Sequence, residues 1–398
     1  MSKPEALWLI SGGPMQLIAA TRAKQRGLAL ILSDGNPEAP CRALADQFIH
    51  LDTFDVQGHI DASASVTERF DVKAVITTAA DCHTIVNNLA KHLGLHHLAP
   101  EISEICRNKA LTREHLTQAG LTQPGFTMVS TFEQARSYLA EASCDHVIKA
   151  TDNSGSRGFS VVPLGQALSQ AQFQEALTMG STGRVVIEER LRPHPEQVSE
   201  ASVETLWQDG RLYWINWVDR IFPRDLHFFP QIHLAQVPKE SIEIGHINPA
   251  RRHTELKDQV RRDIEAAGRA IGMAEQNGAH ILKADIYFSD RGPVILELTP
   301  RTSGGWDSSG SSMARGAEIA DGVIHMGLGR RVDLDDWFNY FEFTHAENTV
   351  VVVTKIPDNA ADCIGRQFAM AQGCESTDAL FNKAYDKLNN GVFHVPVL

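Results

Sequence analysis

Lys283, Asp285, Glu297 and Arg301 fall within one short stretch, KADIYFSDRGPVILELTPRTSGG, residues 283–305. Two carboxylates joined by phosphate oxygens are a usual Mg²⁺ ligand set. An arginine beside them can stabilise charge that develops on a transferred phosphoryl group. The stretch itself explains how these residues meet. Lys283–Phe288 and Pro293–Leu298 alternate apolar and polar residues around the turn formers of Ser289–Gly292, which predicts a β-hairpin. A three-residue loop, Asp290 to Gly292, with Gly292 left-handed sets Asp285 opposite Glu297 and Lys283 opposite Thr299. Like charges facing each other across a hairpin are destabilising, and a divalent cation removes the conflict. The plain alternative is a solvated sheet face with two unrelated acids. Arg301 and the Ser303-Gly304-Gly305 turn favour a site, because they continue past the strand end, where sites usually sit.

Further candidates lie upstream. Lys109 opens a helix ending near Gly120, with Pro124 after it as a stop. Lys149 sits on a strand, His146–Ala150, that leads into TDNSGSRGFSVV, residues 151–162. Ser154, Gly155, Ser156, Arg157 and Gly158 make a loop rich in N–H and hydroxyl donors, able to fold over phosphate oxygens. It also reads as an ordinary hairpin turn, and it is not a Walker A motif. RVVIEERL, residues 184–191, is a buried strand ending in Glu188, Glu189, Arg190 and Leu191. A strand that becomes an exposed linker there can offer backbone groups to a purine edge and a carboxylate to its exocyclic amine. Glu196, Glu200 and Glu204 stand four apart, the spacing of helical salt bridges. Val198, Ser199 and Val203 between them favour a strand.

The elements that must position these residues begin with strand (Leu7–Ile10), Gly-rich turn, helix (Met15–Gln25) and strand (Leu28–Leu32). Short strands at Gln47–Leu51 and Val72–Thr77 and a helix over Cys82–Leu93 follow. Alternating strands and helices imply a parallel sheet with crossover helices. Asp34 ends the second strand, where a ribose-binding acid of a dinucleotide site sits, but Ser11-Gly12-Gly13-Pro14 lacks the full glycine fingerprint. His92, His96 and His97 invite a metal reading, yet Gly94 breaks the helical face they would share. Beyond Gly120 a strand running to Val129 and a helix over Thr131–Ala142 are expected. Near the end, a strand at Thr349–Thr354 and a helix near Thr377–Leu388 are expected.

Composition bounds the function classes. The chain has 398 residues, 43% of them hydrophobic and 22% charged, which suits two or three globular domains with a sizeable core. A net charge of −12 argues against a general nucleic-acid surface or an anionic-membrane binder. The arginines of residues 251–269 alternate with acids along a helix whose apolar positions are Leu256, Val260, Ile264, Ala267 and Ile271. That is a solvated helix face. Six scattered cysteines without a CxxC pair suit reduced thiols in the cytoplasm. No run of 18 apolar residues exists, so no membrane span is expected. The N-terminal stretch does not read as a signal peptide.

The order Lys109, Lys149, NSGSRG, VVIEERL, the Asp285/Glu297 hairpin and ELTPR resembles the ATP-grasp superfamily. It is most similar to the carboxylate–amine ligase branch, which includes carbamoyl-phosphate synthetase, biotin carboxylase and bacterial L-amino-acid ligases. The match covers residues 5–330. It implies an α/β fold of three units: a parallel-sheet domain over 1–107, a nucleotide-binding and catalytic domain over 108–330 with its lid within about 130–190, and a small C-terminal domain over 331–398. It also implies ATP and Mg²⁺, with Mn²⁺ able to substitute, and small-molecule carboxylate and amine substrates joined through an acyl phosphate. A homodimer is expected. Under this resemblance Lys109 and Lys149 contact phosphates and residues 153–158 form the lid loop. Glu188, Glu189 and Leu191 read adenine, and Glu196 binds ribose. Asp285 and Glu297, with Glu243, hold Mg²⁺, and Arg301 faces the acyl phosphate with His246 as a second catalytic residue. Lys283, where relatives more often carry a neutral residue, is the third catalytic candidate: it brings a positive charge to neutralise phosphate or bind an acidic group of the acceptor, or else forms a salt bridge to Asp285 or Glu297. IEIGHINP, residues 242–249, is similar to a segment in which an acid and a histidine approach the reacting carboxylate, here Glu243 and His246. Thr299 stands where many relatives carry Asn, which weakens a second metal position. A catalytically silent nucleotide-binding protein and an NAD-dependent dehydrogenase are the alternatives.

Overall fold

The computed structural model describes residues 2–153, 158–196, 198–230, 232, 242–251, 254–304, 312–314, 318–333, 348–355 and 367–393. In the N-terminal part, β1 (Glu5–Ile10), α1 (Leu17–Gln25), β2 (Ala29–Asp34), β3 (Gln47–His50), α2 (Val56–Arg69), β4 (Asp71–Ile76) and α3 (His83–His92) follow one another. The four strands form an all-parallel sheet in the order β3-β2-β1-β4. Its strands are near-continuous apolar runs because helices cover both faces. Leu7, Leu9, Leu30 and Leu32 pack to one side and Trp8, Ile31 and Val75 to the other.

Two helices, α4 (Pro100–Arg107) and α5 (Lys109–Gln118), lead to a small unit. It contains β5 (Phe126–Val129), α6 (Phe132–Ala140), β6 (His146–Ala150), β7 (Ser160–Val162), α7 (Gln170–Met179) and β8 (Val185–Glu189). Its antiparallel sheet has the order β5-β8-β6-β7. Thr131 and Ser169 close capping boxes at the starts of α6 and α7, which satisfy exposed helix N–H groups.

The largest element is a seven-stranded sheet, ordered β13-β12-β9-β10-β11-β14-β15. Its members are β9 (Glu200–Gln208), β10 (Arg211–Ile221), β11 (Gly245–Asn248), β12 (Ala279–Ser289), β13 (Gly292–Thr299), β14 (Thr349–Lys355) and β15 (Gln367–Gly373). One face packs Trp207, Trp214 and Trp217 against Val260, Ile264 and Ala267 of α8 (Lys257–Ala270), the apolar stripe expected for that helix. Beyond it, α9 (Ile319–Gly327) joins Ile281 to the N-terminal core. The last helix, α10 (Thr377–Asn389), packs Phe381 on Val351 and Ile247. The C-terminal strands therefore extend this same sheet. Among the described residues no helix is long and apolar enough to cross a membrane.

Candidate active site

On the other face of the large sheet, Ile281 and Leu206 pack on the N-terminal core while the stretch from Lys283 to Tyr287 and its neighbours is polar, and the strand period of two decides its membership. Asp285 lies opposite Glu297 on β13 and Ser202 on β9. Lys283 lies between Thr299 and Glu204, and Tyr287 faces Glu200, which neighbours Arg220. The hairpin register at the acids is the expected one, but it arises differently. Ser289 pairs directly with Gly292, so the turn is one residue shorter than a three-residue loop. A bulge between Ile286/Ile295 and Asp285/Glu297 then restores the register. Gly292 keeps the left-handed conformation, φ +100. The bulge also sets two consecutive residues, Leu296 and Glu297, on the lining of one cleft of about 830 Å³, where plain alternation would admit only one.

The small sheet supplies the opposite wall. Lys149 Nζ lies 2.5 Å from Glu188 Oε2, and Arg113 Nε lies 2.8 Å from Glu188 Oε1. Burial opposes ionisation of Glu188, but Arg113 and Lys149 outweigh it and hold the carboxyl well below the ordinary range. Both of its oxygens are thus engaged by cations. The Glu188 side chain anchors Lys149 in this arrangement rather than standing open to an adenine amine. Arg113 also donates to the Ile295 carbonyl at 2.6 Å, tying α5 to the bulged strand. Lys109 donates from its backbone to the Thr151 carbonyl at 2.8 Å and from its side chain to the Asn153 carbonyl.

Ser154, Gly155, Ser156 and Arg157 lie outside the described residues. Gly158 has φ +69, and a Cβ there would stand 3.0 Å from Met179 and 3.1 Å from Ala176, so a side chain fits neither the backbone nor the space. The linker after β8 runs along β12: His194 N–H donates to the Phe288 carbonyl at 2.9 Å, and the Tyr287 hydroxyl donates to the Leu191 carbonyl at 3.4 Å. Glu189 lines the cleft and pairs with Arg291 at 3.2 Å. Glu196 is exposed on a turn and is not among the residues lining the cleft.

At the far end the charges are dense. Arg220 reaches three carboxylates: Glu243 at 2.8 Å, Asp285 at 3.3 Å and Glu200 at 3.5 Å. Arg224 pairs with Glu200 as well. Asp285 also meets Lys283 Nζ at 2.7 Å. Burial pushes the Asp285 carboxyl up, but Lys283 and then Arg220 outweigh it and leave it below its usual range. Glu243 behaves alike: Arg220 and His246 overcome burial and bring it to about 2. His246 Nδ1 lies 3.4 Å from Glu243, but the histidine is buried behind the cleft wall and does not line it. Arg301 donates to Asp81 at 3.0 Å, across from the N-terminal domain. Thr302 there bonds the Thr78 carbonyl.

Arg220, Arg224, Glu200 (named above only for its spacing and its strand) and Asp81 are site residues that the sequence did not identify as such. One signal was available for Arg220 and Glu200: Asp209-Gly210, with φ +52 and +72, is the dipeptide of a two-residue hairpin turn. It joins β9 to β10 and brings Arg220 beside Glu200. Asp81 has no such signal. His92, His96 and His97 do not come together as a metal site. His96 stacks on His280 at 4.6 Å, and His97 bonds the Leu95 carbonyl. Asp34 accepts from the Gly12 and Asn36 backbone N–H groups at 2.6 and 2.7 Å, so it braces the first turn instead of facing a ribose.

The donor set suits Mg²⁺. Asp285 and Glu297 are paired in register on the cleft wall. Among the described residues no three His, Cys, Asp or Glu side chains are grouped to hold a metal by themselves. Mg²⁺ is held by one or two carboxylates plus substrate phosphates rather than by an all-protein cage. These residues match that mode.

No family model matches the chain. The protein y4rH of Sinorhizobium fredii is 23% identical over 289 residues, 71% of this chain and 55% of y4rH. The chain thus spans about half the length of that relative. Among solved structures, the L-amino acid ligase of Bacillus licheniformis superposes with a TM-score of 0.66 at 19% identity, covering 90% of this chain and 81% of the ligase. The biotin carboxylase domain of Hydrogenobacter thermophilus 2-oxoglutarate carboxylase, solved as a dimer with MgADP and bicarbonate, gives 0.67 at 14% identity, covering 89% and 75%. At these identities the likeness concerns the fold: over about nine-tenths of its length the chain has the ATP-grasp fold of these two structures.

Proposed function

We propose that the protein is an ATP-dependent ligase that joins a small carboxylate to an amine, releasing ADP and phosphate. One observation carries this reading. The acids Asp285 and Glu297, paired in register, face Lys149 and Lys109 across a single cleft, with Arg301 lining it too. Asp285 and Glu297 would hold Mg²⁺, which would supply positive charge against the nucleotide phosphates. The Glu188–Arg113 pair fixes Lys149 toward the same phosphates, and Lys109 supports them from the start of α5. The backbone of Glu189–Leu191 offers the purine edge its donors and acceptors. Leu296, brought inward by the bulge, gives the base an apolar surface.

The chemistry follows from charge. A carboxylate is a poor electrophile, and an amine does not displace its oxygen. Transfer of the γ-phosphoryl group forms a carboxyl O–P bond and breaks the bond to ADP. The amine nitrogen then attacks the acyl carbon and loses a proton, and the C–O bond to phosphate breaks. Negative charge spreads over the transferring oxygens in the first step, and donors arranged in advance lower that barrier most effectively. Arg301 and Lys149 are held by Asp81 and Glu188 and need no reorganisation. Amino-acid-like substrates fit the far end, where Arg220 and Glu243 present both signs of charge.

Hydroxylamine is the test. Candidate acids are incubated with ATP, Mg²⁺ and hydroxylamine and screened for a hydroxamate by colour with ferric ion and by mass spectrometry. A hydroxamate formed only with ATP supports the acyl phosphate. If phosphate appears only when a phosphorylated alcohol or amine accumulates, the protein is a kinase-like relative and this reading is wrong.

A further inference from the structure

We propose that Lys283 takes the place of a second divalent cation, so that the site works with one metal ion and one fixed ammonium. The inference rests on the ligase reading above. Phosphoryl-transfer sites meet the charge of the transferring group with two metal ions, or with one metal ion and protein cations. Which arrangement applies here follows from what each carboxylate of the cleft already holds.

Glu200 and Glu243 are engaged by Arg220, with Arg224 also on Glu200. Asp81 is engaged by Arg301, Glu188 by Lys149 and Arg113, Glu189 by Arg291 and Asp145 by Arg190. Asp285 is shared between Lys283 at 2.7 Å and Arg220 at 3.3 Å. Glu297 also lines the cleft, and among the described residues no ion pair engages it. A first metal ion therefore has one carboxylate ready, Glu297, and displaces a cation to win the other, Asp285.

A second ion would have to use the next row of the sheet, two residues further along each strand. That row reads Thr299, Lys283, Glu204 from β13 to β9. Thr299 offers a hydroxyl, a weaker oxygen ligand than a carboxylate or an amide carbonyl. Glu204 accepts from Asn216 at 2.9 Å and from the Ser303 N–H. Between them stands the Lys283 ammonium, only 8% exposed. A dication placed beside it meets twice the repulsion a single charge would. The row that a second metal needs is thus filled by a positive side chain and is poor in ligands. When Mg²⁺ takes Asp285, Lys283 turns from that carboxylate to a phosphoryl oxygen, and the second charge arrives without a second ion.

Counting Mn²⁺ tests this without relying on turnover. The full chain is mixed with one equivalent of ADP and titrated with Mn²⁺, free ion being read by electron paramagnetic resonance. Wild type is expected to hold one Mn²⁺ per chain. Thr299→Asn, which adds an amide ligand but keeps the ammonium, is expected to stay at one. Lys283→Met combined with Thr299→Asn is expected to rise to two, and Lys283→Met alone to tighten the first ion at least threefold by freeing Asp285. Two ions in wild type or in Thr299→Asn overturn the proposal. So does a double variant that stays at one while Lys283→Met leaves the first affinity unchanged. The wild-type and Thr299→Asn counts decide the matter even if Lys283→Met does not fold. A wild-type protein that holds no Mn²⁺ beyond that held by free ADP is a different failure, because it removes the metal site of the ligase reading itself.

Discussion

Asp285 and Glu297 face one cleft in unequal company. Asp285 is held by two cations, whereas Glu297 has no ion pair among the described residues. Neutralising the second should therefore disturb the resting protein little and the reaction greatly. Glu297→Gln is expected to keep its unfolding midpoint within about 1 kcal/mol of wild type, as substitutions outside packed networks do. ADP release on the acid and amine identified by hydroxamate screening is expected to fall by about a hundredfold or more, the scale of losing a group that stabilises transition-state charge. Turnover within threefold of wild type would show that Glu297 holds no metal. Glu188 is the opposite case. Removing one member of a buried ion pair costs several kcal/mol because the partner is left charged and unpaired, so loss of activity in a Glu188 variant would say little about nucleotide recognition.

Among the elements, the hairpin of β12 and β13 sets Asp285 against Glu297, and α8 with the large sheet sets the hairpin. The closeness of that packing depends on Gly268. A Cβ at this helical position would lie 2.1 Å from Trp207 Cζ2 on β9. Two effects oppose each other in Gly268→Ala. Helix propensity favours alanine by about 1 kcal/mol, while forcing a methyl into a packed core costs about 1–3 kcal/mol. A contact this short puts the cost at the upper end, because Trp207 is itself fully buried in the same core as Val203, Ile264 and Leu282. A net loss of about 1–2 kcal/mol is expected from urea unfolding, together with a shift in tryptophan emission. An unchanged midpoint would mean that α8 stands farther from the sheet than this contact requires.

At the scale of the whole molecule, the N-terminal parallel sheet and its helices meet the large sheet through Arg301–Asp81 and through a crevice lined by His83, His96, His97 and His280. His83 and His280 are each lowered to about 4, chiefly by burial, with Arg301 disfavouring the charged form of His83 and His96 that of His280. An unfolded chain protonates these groups near pH 6.5, the folded one only near 4. Between those values the unfolded state binds more protons, so folding stability is complete above about pH 6.5 and falls as pH drops toward 4. Each histidine contributes on the order of 3 kcal/mol to that fall. Glu243 acts in a separate window: its contribution is present above about pH 4.5 and is lost as pH falls toward about 2. Chemical unfolding from pH 7 to 4 should show the first decline, and His280→Gln should flatten it. Equal slopes in wild type and variant would mean that His280 titrates normally in the folded state.

Much of the site is legible in the amino-acid sequence alone. The register of Asp285 against Glu297 follows from strand alternation, because a slip of one residue would send every core side chain of β12 to the wrong face. It survives a turn shorter than expected, since the bulge at Leu296 restores the pairing that burial demands. The alternating strands and helices of the first 93 residues and the apolar stripe of α8 are legible for the same reason: periodicity reports which face is buried. It does not report what that face is buried against. The helices α2 and α4 and the partnership of β11 with β14, whose paired residues Asn248 and Val350 lie a hundred positions apart, have no counterpart in local pattern. Nor does the meeting of Asp81 with Arg301 or of Arg113 with Glu188. Such pairs are selected by the closure of long loops and by the desolvation of charges once sheets have stacked. The sequence determined that Glu188 lies on a buried strand. Only the tertiary structure decided that two cations would reach it there.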